Sequence, residues 1–291
     1  MKKALVLTGT LLAGIAGVAL GAQAETLKWV GCGISKKAYM TAMTKAYQEK
    51  TGTLIDLEGG GATRGIRDVA AGEADLGGSC RHKILEHKET NTKLIPVGWD
   101  SIVVITHPSN PVKDISSEQL KAVMTGEIAN WKELGGPDQP IQLAIRKGKI
   151  SGVGLMVREL LFYNPDQDFS EKAQVMKSTG PLEQFVESEP LAIGVTGISS
   201  GRKRNVSFMS LDGAEPSYDN VASGSYPLTR PLYVTVPKDA SEEVRRFVSF
   251  VTGPEGQDIM KQEGTVTMKD GQGLWEQYRA KMSEARSKGA F

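Results

Sequence analysis

The sequence has little cysteine, almost no net charge and, beyond its first two dozen residues, no long hydrophobic run. Cys32 and Cys80 are the two cysteines in 291 residues, which excludes a small domain held together by several disulfides. The formal net charge is +1. Because general nucleic-acid and membrane-surface binders are usually strongly basic, this balance argues against both classes, and we expect no nucleic-acid partner.

The hydrophobic run at the N-terminus has the pattern of a secretory signal. Lys2 and Lys3 precede an apolar, small-residue stretch at residues 4–20, and Ala22-Gln23-Ala24 supplies a cleavage site. This pattern predicts a signal peptide over residues 1–24, cleaved after Ala24, and a periplasmic location; a retained membrane anchor is the alternative. No later segment approaches the roughly 20 apolar residues of a membrane-spanning helix, so we expect a soluble protein. We also expect a monomer.

Strand, loop and helix patterns alternate along the mature chain. Residues 27–30 and 54–57 indicate strands, whereas residues 36–50 and 66–71 indicate helices. Further helices are predicted at residues 117–125, 153–162, 241–252 (with Ser241 as the cap) and 256–262. The alternation predicts an α/β fold with a mostly parallel sheet. The length exceeds that of a typical domain of ~100–150 residues, so two lobes are expected.

Eight short motifs occur in an order that identifies a family resemblance. They are residues 60–66, 72–79, 110–112, 125–131, Arg146 with Ser151-Gly152, 192–194, 226–230 and 253–257. With these motifs, essentially the whole mature chain resembles the phosphate-binding proteins of bacterial ABC uptake systems.

The resemblance implies a two-lobed periplasmic-binding-protein fold, each lobe a mostly parallel sheet flanked by helices and joined by two crossing strands. It divides the chain into lobe 1, residues 25–103 and 233–291, and lobe 2, residues 104–232. It also implies a small anion held between closing lobes, an ABC permease or membrane receptor as partner, and no cofactor. The physics agrees, because free N–H groups at helix starts bind an anion without many charges.

In the first lobe, the resemblance places ligand contacts in three loops. The positions are Cys32, Gly33, Ile34 and Ser35; Gly61, Ala62, Thr63 and Arg64; and Cys80 and Arg81. Ser35 either donates its hydroxyl to the ligand or only caps the next helix. Arg64 is either a ligand contact or a solvated residue at a helix start.

The third loop departs from the family at Cys80. There the family has an aspartate, which accepts a hydrogen bond from protonated phosphate. A thiol is a weak acceptor, so we expect selectivity for phosphate to be weakened and phosphate to bind weakly or not at all.

In the second lobe, the resemblance assigns ligand contacts to Arg146, Ser151, Gly152 and Val153. The guanidinium of Arg146 can bind two oxyanion oxygens at once. Lys147 and Lys149 are interpreted as solvated loop charges, with a contribution to the anion site as the alternative.

The two cysteines follow strands that the family fold makes neighbours. A disulfide between Cys32 and Cys80 is the leading interpretation. A reduced pair that binds a thiophilic oxyanion or a metal together with His82 is a second, and inert thiols are a third; the spacing is not a zinc pattern.

Two further function classes follow from these residues. A ligand-sensing or redox-linked interaction protein, with the cysteines in its site, is the alternative to solute uptake. An enzyme with Cys80 as nucleophile and His82 as base is disfavoured, because no orienting acid is evident.

Overall fold

The computed structural model describes residues 26–84 and 88–287. The predicted signal peptide and its cleavage site lie outside these ranges. Within them the strands are β1 (Thr26–Gly31), β2 (Leu54–Gly59), β3 (Leu76–Ser79), β4 (Thr92–Thr106), β5 (Asp114–Ile115), β6 (Gln142–Arg146), β7 (Gln174–Met176), β8 (Ala192–Gly197), β9 (Ser207–Phe208), β10 (Ser210–Leu211), β11 (Thr229–Pro237) and β12 (Val266–Thr267).

The helices interleave with these strands. They are α1 (Gly33–Ser35), α2 (Thr41–Thr51), α3 (Gly61–Ala71), α4 (Ser117–Thr125), α5 (Gly152–Leu160), α6 (Thr179–Ser188), α7 (Ile198–Gly201), α8 (Tyr218–Ser223), α9 (Glu242–Thr252), α10 (Pro254–Gln262) and α11 (Leu274–Ser287). A π-helical stretch, Lys36–Met40, joins α1 to α2 without a break, and a 3-10 helix spans Trp131–Leu134. The predicted α/β class is confirmed.

The main sheet has the strand order β2-β1-β3-β11-β4-β8-β6-β7, with β9 and β12 also paired to β4. Strand β4 lies in the middle of this order and joins its two halves. Its residues 92–101 pair with β11, and its residues 102–106 pair with β8. We call the β2, β1, β3, β11 and β12 side the first lobe and the β8, β6, β7 and β9 side the second lobe.

Several predicted helix boundaries agree with the structure because their capping signals are local. Helix α4 begins after a capping box in which Ser116 and Gln119 bond each other's backbone N–H groups, and it ends at Gly126 in the left-handed region. The Ser241 hydroxyl accepts from the Val244 N–H at 3.2 Å, so it caps α9 as predicted.

Two helices begin at least three residues earlier than predicted. The first begins at Gly33, so Cys32 rather than Ser35 is its N-cap. Helix α3 begins at Gly61, five residues before the predicted start at Ile66. Its glycine-rich first turn has low intrinsic helix propensity, which favoured a loop. The turn is instead stabilised by an ion pair between Arg64 and Glu58 of β2, and by the i,i+4 ion pair between Arg64 and Asp68 at 2.9 Å.

Helix α3 lies unusually close to the sheet because glycines occupy the contact. A Cβ at Gly77 would lie 2.2 Å from the Gly65 carbonyl oxygen, and one at Gly65 would lie 2.8 Å from the Val30 and Gly78 oxygens. Only residues without a side chain permit this approach. The packing fixes the N-terminus of α3 beside the ends of β1 and β3.

The part of the chain that the structure describes contains no helix that is long and apolar enough to cross a membrane.

Candidate functional site

A cavity of about 330 Å³ lies between the lobes, at the carboxyl ends of β1, β3 and β6. This is the position at which open α/β sheets bind ligands. Its lining consists of Cys32, Gly33, Gly59, Gly60, Gly61, Ala62, Cys80, Arg146, Gly152, Val153, Lys177, Ser178, Thr179 and Gly180. Both lobes contribute, and none of these fourteen residues is a carboxylate.

Four helix N-termini converge on this cavity. The cavity lining includes the starts of α1 and α3 from the first lobe and of α5 and α6 from the second. None of the four has an acidic residue in its first turn, and the N-caps of α3, α5 and α6 make no side-chain capping bond. Their first-turn N–H groups lack intrahelical acceptors and carry the positive end of the helix dipole. The arrangement is complementary to an anion.

Arg146 adds a full positive charge at the end of β6. One of its terminal nitrogens donates to the Met176 carbonyl at 2.9 Å, and burial lowers the pKa of the guanidinium. Among residues 26–84 and 88–287 no carboxylate pairs with Arg146, so its remaining donors are available to a ligand. Lys177, which is exposed at the rim, supplies a second cation.

Both cysteines are free, buried and part of the cavity lining, and each influences the pKa of the other. The predicted proximity is therefore present, whereas the predicted disulfide is absent from the structure. The Cys32 N–H donates to the Gly78 carbonyl at 3.1 Å, which aligns the end of β1 with the segment that leads to Cys80.

The two thiols have different acidities. Burial opposes ionisation of Cys32, but hydrogen bonds with Cys80 and Ser35 and the charge of Arg230 outweigh it and lower the Cys32 pKa to about 7. The hydrogen bond to Cys32, together with burial, raises the Cys80 pKa well above its ordinary value. Thus Cys32 is the sulfur that ionises first.

A buried ion pair lies next to the cavity lining and contacts one of its residues, Gly152. Arg230 and Asp100 are fully buried and lie 3.1 Å apart, and Arg230 also donates to the Gly152 carbonyl at 3.3 Å. Asp100 accepts from the backbone N–H and the hydroxyl of Ser199. This network connects β4 and β11 to the starts of α5 and α7.

The lobes touch directly at Gly152. A Cβ there would lie 2.5 Å from the Cys80 sulfur and 3.0 Å from the Ala62 Cβ. Thr63 donates its hydroxyl to the Ile150 carbonyl at 2.9 Å, which is a second contact between the lobes. The structure is therefore the closed arrangement of the two lobes.

Six of the predicted ligand residues lie outside the cavity lining. Ile34 and Ser35 are buried in the first lobe, and the Ser35 N–H donates to the Cys32 sulfur. Thr63 and Ser151 use their hydroxyls on the carbonyls of Ile150 and Gly148.

The other two are arginines with carboxylate partners. Arg64 pairs with Glu58 and Asp68, which draws its side chain away from the cavity. Arg81 is fully buried and forms an ion pair with Glu89 at 2.7 Å; its Nε donates to the Ile150 carbonyl. The Glu58 and Glu89 partners were not evident from the sequence because they belong to other segments, whereas Asp68 lies four residues from Arg64 in α3.

The sequence interpretation missed the α6 contribution, Lys177 to Gly180. A usable signal was present, because Ser178-Thr179-Gly180-Pro181 combines capping residues with a proline in the first turn of a helix.

His82 does not approach the cysteines through its imidazole. One ring nitrogen contacts the Lys83 carbonyl at 3.0 Å, and the other contacts Glu159 at 2.9 Å. Within the described residues no group of three or more His, Cys, Asp or Glu side chains is placed to hold a metal ion. The structure therefore does not assemble the Cys32, Cys80 and His82 set, and His82 is not placed as a base for Cys80.

Two lobes that share a strand and enclose an anion-complementary cavity define a solute-binding protein of the periplasmic-binding type. The chain belongs to the family whose model is described as the PBP superfamily domain, which matches residues 22–255.

Curated relatives and a solved structure have similar sequences. The phosphate-binding protein PstS of Borreliella burgdorferi is 24% identical over 92% of this chain and 100% of its own length. That of Bacillus subtilis is 29% identical over 79% of this chain and 77% of its own. A putative phosphate ABC transporter substrate-binding protein from Clostridium perfringens, solved with bound phosphate, superposes with a TM-score of 0.75 at 29% identity, covering 84% of this chain and 99% of that one.

Proposed function

We propose that this protein captures a tetrahedral oxyanion of the phosphate class between its lobes and delivers it to an ABC permease. The observation that carries the proposal is the cavity lining, in which four helix N-termini without first-turn acids surround Arg146. The phosphate-binding names of the similar proteins support the choice of anion.

The proposal includes export and binding without turnover. Residues 1–24 would direct the chain to the periplasm, where a monomer would collect the anion. The lobes would divide near residues 103 and 232, as the sequence pattern suggests. We propose no catalytic step, because the relatives are named as binding proteins and neither thiol has a base beside it in the described part of the chain.

The cavity lining has hydrogen-bond donors but no carboxylate, so sulfate is the natural comparison anion. A protonated oxyanion needs an acceptor, and Cys80 is a weak one. Calorimetry with phosphate and with sulfate on the same reduced protein measures how far the missing carboxylate relaxes selectivity.

The test variant is Arg146→Ala. Removal of a charge-assisted donor pair is expected to weaken phosphate binding by about 1.5–3 kcal/mol, which is roughly ten- to hundredfold in Kd. The control is Lys147→Ala, since Lys147 is the next residue, exposed and outside the cavity lining. Equal affinities of the Arg146→Ala and wild-type proteins, measured by calorimetry, would refute the site.

A further inference from the structure

Two carboxylates of the second lobe are buried in the helices that begin at the cavity. Glu159 lies in α5 and is 1% exposed, and Glu183 lies in α6 and is fully buried. A buried carboxylate is costly unless charged or polar groups compensate it. The groups that compensate Glu159 and Glu183 therefore identify the contacts that α5 and α6 need in the closed protein.

Both carboxylates find a basic partner on the first lobe. The His82 Nε2 lies 2.9 and 3.0 Å from the two oxygens of Glu159. The Lys37 ammonium donates to Glu183 at 2.9 Å and to the Ser200 hydroxyl at 3.0 Å. Each pair therefore connects one second-lobe cavity helix to the first lobe.

The two carboxylates differ in the partners they have within the second lobe. Thr196 donates its hydroxyl to Glu183 at 2.6 Å, and Arg204 lies 3.5 Å away. For Glu159, the hydrogen bonds among the described residues come from His82 alone. Separation of the lobes would thus remove one partner from Glu183 and the hydrogen-bonding partner of Glu159.

The basic partners are close in sequence to the cavity lining without being part of it. His82 follows Cys80 by two residues, and Lys37 follows Gly33 by four. Because of this placement, the pairs can fix the second-lobe helices relative to the first-lobe residues of the cavity lining without contacting the anion.

We propose that His82–Glu159 and Lys37–Glu183 are positioning pairs, which hold the N-termini of α5 and α6 against the first lobe and so raise the affinity for the anion. This inference rests on the proposed function, in which the lobes close on the anion. An anion that binds only the closed arrangement loses apparent affinity in proportion to the closed fraction. Weakening either pair lowers that fraction.

The first test replaces the partly exposed members, Lys37→Met and His82→Gln, because substitution at the lobe boundary spares the core. Phosphate affinity from calorimetry is expected to fall about tenfold in each variant, with most of the change in the dissociation rate measured by stopped flow. In a double-mutant cycle, Lys37→Met should add little to Glu183→Gln.

The control is Glu243→Gln. Glu243 is also buried, but its partners Tyr47 (2.7 Å) and Thr53 (3.0 Å) belong to its own lobe. This variant should lower the Tm of the ligand-free protein and leave phosphate affinity unchanged. Equal losses of affinity in the control and in the pair variants would reduce the pairs to ordinary structural contacts and overturn the proposal.

A readout without ligand separates this proposal from the proposed function. The radius of gyration of ligand-free protein, from small-angle scattering, should increase in Lys37→Met and His82→Gln and stay constant in Glu243→Gln. Constant radii in all variants, or phosphate affinities within twofold of wild type, would overturn the positioning pairs. Failure of the wild-type protein to bind phosphate or sulfate would instead overturn the proposed function.

Discussion

The helices that begin at the cavity differ from the helices that begin at the surface. Helices α4, α8, α9, α10 and α11 each have an aspartate or glutamate in the first turn, and α4, α8 and α9 also have a serine cap whose hydroxyl bonds to the backbone. The cavity helices α3, α5 and α6 have neither. The four-residue helix α7 is a separate case, since the Ser199 N–H donates to buried Asp100.

The difference has an energetic reason. A first-turn acid or a serine cap satisfies N–H groups and stabilises a helix by roughly 0.5–2 kcal/mol. The cavity helices forgo this stabilisation and present their N–H groups to the cavity. A bound anion supplies the missing acceptor and negative charge. It therefore stabilises these helix starts, and this stabilisation contributes to the free energy of binding.

The largest effect is expected when a cavity helix receives an acidic N-cap, so that its first turn resembles that of a surface helix. Ser178 is the N-cap of α6, makes no capping bond and is exposed. Ser178→Asp should cap α6 well but place a negative charge in the anion site, with a loss of about 3 kcal/mol, or roughly a hundredfold, in phosphate affinity.

The matched control for that charge is Ser116→Asp at the cap of α4, which lies outside the cavity lining. Calorimetry should give it wild-type affinity, while the Tm of both variants should stay at or above that of wild type. Tight phosphate binding by Ser178→Asp would contradict an anion site at the start of α6.

A smaller effect is expected from the start of α5, where the two lobes touch. Gly152→Ala would place a Cβ 2.5 Å from the Cys80 sulfur, so the lobes could no longer approach fully. Phosphate affinity should fall about tenfold by calorimetry, with partial recovery in Gly152→Ala/Cys80→Ala. Gly273→Ala, at a position with no atom within 4 Å of the added Cβ, is the control. No recovery in the double variant would exclude the sulfur as the obstacle.

The smallest expected effect is a pH dependence of stability at α1, whose N-cap is the sulfur of Cys32. The Cys32 pKa is lowered from 9.0 to about 7 in the folded protein, so between pH 7 and 9 the unfolded chain binds more protons than the folded chain. The free energy of unfolding should therefore rise across this window, by an amount on the order of 1 kcal/mol. The raised pKa of Cys80 opposes this as the pH approaches 9, where the unfolded thiol ionises, and increasingly above pH 9.

Denaturant unfolding of reduced, ligand-free protein at pH 7, 8 and 9 measures this slope. Cys32→Ser should flatten it, because serine does not titrate there. A slope that is the same in wild type and Cys32→Ser would show that Cys32 does not ionise in this window.

Local patterns in the sequence predicted the fold well where the stabilising contacts are also local. The Ser116 capping box and the Ser241 cap lie within four residues of their partners, and both helices begin where predicted. The first turn of α3 was missed because part of its support comes from Glu58 of β2 and from the glycine contact with β1 and β3.

The site was predictable in part for the same reason. The glycine loops and Arg146 follow strand ends, and strand ends meet at one edge of a parallel sheet. Arg64 and Arg81 carry the same charge as Arg146, but their carboxylate partners lie beside them in space and keep them out of the cavity lining. Charge type alone therefore does not separate a ligand residue from a structural ion pair.

The strand shared by the two lobes restricts how such a protein can evolve. Residues 92–101 of β4 pair with β11 and residues 102–106 pair with β8, in one unbroken backbone. A single inserted residue near Ser101 would turn every following side chain of β4 to the opposite face, because side chains alternate along a strand. Between Gly98 and Pro96, β4 accommodates one extra residue, Val97, as a bulge opposite β11, but an insertion after Ser101 would shift the whole pairing with β8. The unbroken run from Ser101 into residues 102–106 thus sets the spacing between the two halves of the cavity.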